Sequence, residues 1–503
     1  TLVYNSRTVN GGPLHDPTAL MYVLESDLEP ISPNDPLCIE LRGNPRKPKE
    51  RVDVMKPGCQ VRLRADAPVE PLILRANAGD CLRVELFNKL LGQAVDANGA
   101  PVFTCDPTNP VPVFQDQGAG LCLDDGITPA VGAVTFDGPF DLDGYNTMPM
   151  IVEHFNANQV APSVEVGLHA QLVSYPMAEG DGNNVGFNNV QTAFPGGKAE
   201  YVWYAGNIET DAGTGFRTAV PVEFGAINLM ASDPIKGSNK GLIGGLVVEP
   251  MGSTWQCDAG FANNGRPRFV DCYDGGRQGL PTTRAAATIT TGTGTFRDFV
   301  AIYQDDVNLR FGSDVTLPGI NDAGIFTNIA FMAGDPIPTV AEEEEPEDSG
   351  GKGLNYRTEP SWFRLGYAPT GDSGFTRTVD FTNVWANGTV GGDPETPVFN
   401  AAPNQEVRFR LLKPGGHNRN QVFTLHGHLW PRHPYNFDST QIDPNNQKTF
   451  WHGEQMGHGP SNHVNVVPLN GAGGYFGATG DYLFRDLTPV HADNGEWGIL
   501  RVE

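Results

Sequence analysis

The stretch Arg75-Ala76-Asn77-Ala78-Gly79-Asp80-Cys81-Leu82-Arg83-Val84-Glu85-Leu86 occurs again, in altered letters, as Asn400-Ala401-Ala402-Pro403-Asn404-Gln405-Glu406-Val407-Arg408-Phe409-Arg410-Leu411. Each copy reads as a turn followed by an alternating strand. Successive side chains of a strand point to opposite faces. Leu82, Val84 and Leu86 therefore share one face, with Arg83 and Glu85 on the other, and Val407, Phe409 and Leu411 repeat the apolar face. A second echo closes each copy. Gly241-Leu242-Ile243-Gly244-Gly245-Leu246-Val247-Val248-Glu249 and Gly495-Glu496-Trp497-Gly498-Ile499-Leu500-Arg501-Val502-Glu503 share the skeleton G-x-x-G-x-L-x-V-E. Two units that open and close on the same kind of strand predict two copies of one β-sandwich.

The expected fold is all-β, with two or more Greek-key β-sandwich barrels. Residues 1–70 read as an N-terminal extension packing on the first barrel, and 71–250 as that barrel with loop insertions. Residues 251–354 read as a β-rich connecting segment and acidic linker, and 355–503 as the second barrel. Composition agrees, since the 61 glycines and 41 prolines of the 503 residues fall between short apolar runs. The run Glu342-Glu343-Glu344-Glu345-Pro346-Glu347-Asp348 reads as a solvated linker or loop, because like charges repel, and it lacks the alternating ligand spacing of a calcium loop.

The formal charge of −25 argues against a nucleic-acid partner, because phosphate is repelled. No apolar stretch is long enough to span a membrane. The start at Thr1 is read as removal of a signal peptide or of a longer precursor segment, or as a trimmed sequence. Of seven cysteines, Cys105 with Cys122 and Cys257 with Cys272 flank Gly/Asp-rich loops and read as loop staples. Cys38, Cys59 and Cys81 leave one thiol over. This usage predicts an oxidising, extracellular or periplasmic compartment. No nucleophile elbow, zinc-protease helix motif or phosphate-cradling loop is present. The adjacent acids Asp124-Asp125 and Asp305-Asp306 would point to opposite faces of a strand, which makes them poor acid/base partners.

Eight of the 11 histidines lie after residue 416. In Phe423-Thr424-Leu425-His426-Gly427-His428-Leu429-Trp430, a strand would project His426 and His428 side by side, at a spacing that serves one metal ion or two adjacent ones. The loop Trp451–His463 adds His458 and His463, which could join them at one end of the barrel. The expected metal ligands are thus His426, His428, His458 and His463. The bland alternatives are histidines hydrogen-bonded at a barrel rim and exposed loop histidines.

At these residues the chain resembles the cupredoxin-type domains of multicopper oxidases, most of all the large bacterial ones associated with manganese oxidation. Three segments carry the likeness: Ala78–Val84, Phe423–Trp430, and Asp481–Asp486 continuing through His491–Val502. Val166–Gln171 and Gly241–Pro250 fit the same picture in the first barrel. The resemblance implies cupredoxin-like barrels and copper as cofactor: a blue electron-entry copper on two His and a Cys thiolate, and a three-copper cluster on eight histidines in H-x-H pairs.

Position by position, the ligands thin out. The family's late His-Cys-His-x-x-x-His motif falls on Arg485-Asp486-Leu487-Thr488-Pro489-Val490-His491, where only His491 matches, and no cysteine follows Cys272. One H-x-H falls on His169-Ala170-Gln171, and another on Ala205-Gly206-Asn207. His426-Gly427-His428 keeps the spacing, although the family's His-Pro-x-His-x-His-Gly would lay its pair on Thr424 and His426. The resemblance thus implies a multicopper-oxidase-like subunit, or a processed half of a larger exported oxidase. Such a chain would lack a complete copper centre, with the catalytic coppers on a partner chain or precursor half and a single accessory copper or another metal ion on His426, His428, His458 and His463. The alternative is a non-enzymatic cupredoxin-fold surface or assembly protein. Homo-oligomerisation is compatible with either.

Overall fold

Both copies of the repeated turn fold alike. In the computed structural model of the chain, Gly79 and its equivalent Asn404 hold left-handed backbone, with φ of 91° and 58°. The Asp80 amide donates to the Asn77 carbonyl at 3.0 Å, as Gln405 does to Ala402 at 3.0 Å. The side chains of Asp80 and Gln405 accept from the amides of Asn77 and Ala402. Gly79 N–H donates to the Ala205 carbonyl and Asn404 N–H to that of Ala472, each at 2.8 Å. Glycine, or an asparagine that tolerates left-handed backbone, is what such a turn requires.

The structure describes most of residues 2–90, 163–311 and 351–503. Cys105 with Cys122, Asp124-Asp125, Asp306, His417 and the acidic run 342–348 lie outside the described residues.

The first unit uses β2 (Leu72–Asn77), β3 (Cys81–Phe87), β4 (Leu168–Ala170), β5 (Lys198–Tyr204), β6 (Gly225–Ala231) and β7 (Ile243–Glu249); β1 (Leu2–Asn5) precedes it. Its main sheet runs β2-β7-β6-β4, and β3 pairs with β5. The connecting segment supplies β8 (Thr254–Phe261), β9 (Thr283–Thr290) and β10 (Thr295–Gln304). The second unit contains β11 (Val398–Ala401), β12 (Val407–Leu412), β13 (Phe423–Leu425), β14 (His463–Val466), β15 (Gly480–Asp486) and β16 (Trp497–Val502). Its sheet runs β11-β16-β15-β13, the same order as in the first unit, while β12 pairs with β14. In both units the opening strand is parallel to the closing one, with Ala76 opposite Val248 and Ala401 opposite Val502. The architecture is therefore an all-β sandwich, used twice.

Each sandwich closes over its own core. Tyr201 and Trp203 stack 5.8 Å apart above Leu168, Leu229, Leu246 and Val248 in the first. The second is aromatic: Phe399 stacks on Phe299 at 4.6 Å and on Phe484 at 5.6 Å.

The units are bonded back to back. β7 is buried on both faces, with Leu246 and Val248 turned to its own barrel and Ile243 and Val247 in the core of the second. Gly245 makes this approach feasible, because a Cβ there would meet Leu412 Cδ1 at 2.5 Å. The connecting segment is not a separate body. β10 lies parallel to β12 and extends the second unit's sheet through β9 and β8. The N-terminal extension divides as well, rather than packing on the first barrel alone. Leu2, Tyr4 and Leu14 enter the second unit's core, while Tyr22 enters the first unit's. β1 is drawn to the second unit by Tyr4, which packs edge-on against Tyr356 at 6.2 Å.

The Cys257–Cys272 disulfide is formed and buried, while Cys81 is a free, exposed thiol. No helix among the described residues is long and apolar enough to cross a membrane.

Candidate metal centre

Asp486 ends β15, His491 sits in the short helix Pro489–Asp493, and Glu496 immediately precedes β16. The helix folds the chain back over the strand end, so all three side chains converge in the interior with at most 1% of their surface exposed. One donor atom from each lies within 4.8 Å of the others. His491 Nδ1 is 2.8 Å from Asp486 Oδ2 and 3.9 Å from Glu496 Oε2. Asp486 is held in place through its other oxygen, which accepts from the amides of Thr488 at 2.8 Å and Val422 at 3.2 Å. Neither oxygen of Glu496 has a hydrogen-bond partner, and nor does His491 Nε2. Burial, then the charges of Asp305 and Asp486, push the Glu496 carboxyl well above the ordinary range, against the opposing pull of Lys352 and Lys413.

A polar shell surrounds the three. Lys413 Nζ is 2.5 Å and Lys352 Nζ 3.5 Å from the Asp305 carboxylate, and all three residues are buried. Gln421 donates to Asp305 at 3.1 Å. His458 is joined to Gln421 by two backbone hydrogen bonds and packs edge-on against Tyr303 at 5.1 Å. Neither ring nitrogen of His458 has a partner, and burial pushes this imidazole down to about 4, so it is neutral at ordinary pH. The Tyr303 hydroxyl is also buried without a partner.

The first unit holds the same backbone with different side chains. Leu242 N–H donates to the Gly237 carbonyl as Glu496 N–H does to that of His491, and Gly241 and Gly495 both have positive φ. The strand registers pair Met230 with Ile243 and Arg485 with Trp497, which makes Ala231 the equivalent of Asp486. The isolated bridge Val166–Ala193 matches Gln421–His458. Gln421, His458, Asp486, His491 and Glu496 thus stand where the first unit has Val166, Ala193, Ala231, Gly237 and Leu242. There the space is closed: a Cβ on Gly237 would meet that of Ala231 at 2.4 Å.

The four histidines expected as ligands do not converge. β13 ends at Leu425, and Gly427 turns the chain with φ of 71°, so His426 and His428 are not i and i+2 on one strand face. His426 is exposed, while His428 is buried with both nitrogens engaged: Nδ1 meets the His426 carbonyl at 2.8 Å, and Nε2 accepts from Gly473 N–H at 3.1 Å. This neutral imidazole is committed to holding the turn. His463 opens β14, with its Nδ1 buried and unpartnered. His458 alone of the four reaches the shell around Asp486, His491 and Glu496. Glu496 was missed in the sequence although a signal existed, since it is the charged residue standing where the closing echo of the first unit has Leu242.

The copper sets implied by the resemblance fit these residues poorly. The resemblance lays its thiolate on the carboxylate of Asp486, and the free cysteine among the described residues, Cys81, is exposed on β3 in the other unit. No family model matches this sequence, and no curated protein sequence does. Among solved structures, similarity extends to a multicopper oxidase at 14% identity, covering 67% of this chain and 70% of that one with a TM-score of 0.32. It extends also to a copper nitrite reductase from Nitrosomonas europaea at 10% identity, covering 90% and 87% with a TM-score of 0.35. A blue copper oxidase from the same organism aligns at 14% identity over 67% and 69%, with a TM-score of 0.32. At such values these alignments carry nothing about activity.

Proposed function

We propose that this chain is an exported, multicopper-oxidase-like β-sandwich subunit that performs no copper-oxidase chemistry by itself. Catalytic copper, where the assembly uses it, belongs to a partner chain or to another part of a longer precursor. The observation that carries this reading is Asp486. A hard carboxylate, fixed by two backbone amides, stands at the residue on which the resemblance lays the soft thiolate of a blue copper. The committed hydrogen bonds of His428 support it, because that ring is not free to serve an accessory copper with His426. The Cys257–Cys272 disulfide supports export.

A surface-assembly role is favoured by one further observation. Phe187, Val190 and Phe194 of the loop before β5, and Phe216 beyond it, are largely exposed on the first unit. The test is reconstitution of the full chain with copper. The expected result is a colourless protein that consumes no oxygen with phenols or reduced metal ions. An intense copper–thiolate absorption, or oxygen uptake, overturns the reading.

A further inference from the structure

We propose that Asp486, His491 and Glu496 form a binding site for a divalent first-row cation of the kind that prefers carboxylate and imidazole ligands, cobalt or zinc serving as probes. The inference rests on the reading that this position has left copper–thiolate chemistry, and it names what replaced it.

Three observations lead there. The donors come from a strand end, a helix and the residue before the closing strand and lie within 4.8 Å of one another, with His491 Nδ1 2.8 Å from Asp486 and 3.9 Å from Glu496. Both oxygens of Glu496 are buried without a hydrogen-bond partner, in an interior where an unpaired carboxylate is costly. The fold does not need them, since the first unit builds the same strand end, helix and closing strand with Ala231, Gly237 and Leu242. A cation would satisfy Glu496 and compensate the two carboxylates together. Two carboxylates and an imidazole without sulfur suit such ions better than they suit a blue copper. The backbone amides on Asp486 supply the outer layer of hydrogen bonds that keeps a ligand oriented. His458 and Tyr303 pack edge-on beside the cluster, and their ring nitrogens and hydroxyl are buried without a hydrogen-bond partner.

The site is closed to solvent, so the full chain is expressed in medium supplemented in turn with cobalt(II) or zinc(II), and bound metal is measured by mass spectrometry. Bound cobalt is also read from its visible ligand-field spectrum. About one cation per chain is expected, with a cobalt spectrum of mixed oxygen and nitrogen ligation. Glu496→Leu installs the first unit's residue and Glu496→Gln keeps the shape without the charge. Both should lose the cation while retaining the native circular dichroism spectrum. The double variant His426→Ala, His428→Ala should keep it. Folded wild-type protein without cobalt or zinc, or variants at Glu496 that bind as wild type does, would refute the site and leave the preceding reading standing. A copper–thiolate band would remove both.

Discussion

β3 and β12 are equivalent strands of the two units, and their polar faces meet opposite fates. On β3, Arg83 lies 66% exposed and reaches Glu200 and Glu85 across the surface. On β12, the equivalent Arg408 is buried against Glu223 and lies over the Phe296 ring at 3.8 Å. Arg410, where β3 has Glu85, is fully buried. It donates to Asp298 at 2.6 Å and to Glu249 at 3.3 Å, while Arg75 donates to the same two acids at 2.6 Å each. These four residues from β2, β7, β10 and β12 form a closed ring of alternating charge between the units. The metal-centre positions repeat the lesson, with an apolar plug in one unit and a buried donor cluster in the other. The backbone register is shared. What each face must contact decides its chemistry.

Four measurements test that contrast. The largest effect belongs to the ring. Arg410→Met strands Asp298 and Glu249 with half their countercharge and should cost about 3–5 kcal/mol in urea unfolding. Arg83→Met, at the exposed site on β3, should stay within about 0.5 kcal/mol. Equal costs would mean that the two strands are not energetically distinct.

Next comes pH. Burial, then the nearby charge of Asp298, raise Glu249 from 4.5 to about 7. Between those values the folded chain keeps a proton that the unfolded chain has lost. The associated stability is fully present below pH 4.5 and is lost as pH rises through about 7. The loss is on the order of 3 kcal/mol. Glu249→Gln should flatten this slope in denaturation midpoints measured across that window. An unchanged slope would assign it to another group.

A smaller change tests the donor cluster. In metal-free protein Glu496→Leu should raise stability by about 1–3 kcal/mol, because an unpartnered buried carboxyl is exchanged for the side chain that the first unit already accommodates. A loss of stability would mean that Glu496 is held by its lysine neighbours rather than waiting for a ligand. The smallest effect concerns a turn. Leu172 has φ of 63° where its equivalent Gly427 has 71°, and it is 44% exposed. Leu172→Gly should therefore gain about 1 kcal/mol from relieved left-handed backbone. No gain would show that packing at Leu172 already offsets the strain.

Much of the framework was legible in the letters. The turn at Gly79 and Asn404 and the paired glycines of the closing skeleton constrain backbone, and backbone constraints survive divergence of side chains. Gly244 and Gly498 show why: a Cβ at either would strike the opening strand's carbonyl, that of Leu72 at 2.8 Å or Pro397 at 2.5 Å. The histidine pair misled because alternation was extended past Leu425, where Gly427 reverses the chain. The polar face of β12 carries no mark of its burial, since alternating arginines are the same letters whether they meet water or a second sheet.

That two sandwiches repeat one register is written in the letters, because turns, left-handed positions and period-two alternation are local and each leaves a mark in neighbouring residues. That Arg408 and Arg410 face a second sheet instead of water, and that Glu496 meets Asp486 and His491, emerges only from the packed chain. Those outcomes depend on which chain segments pack together, and burial sets the cost of a charge only after the packing is fixed.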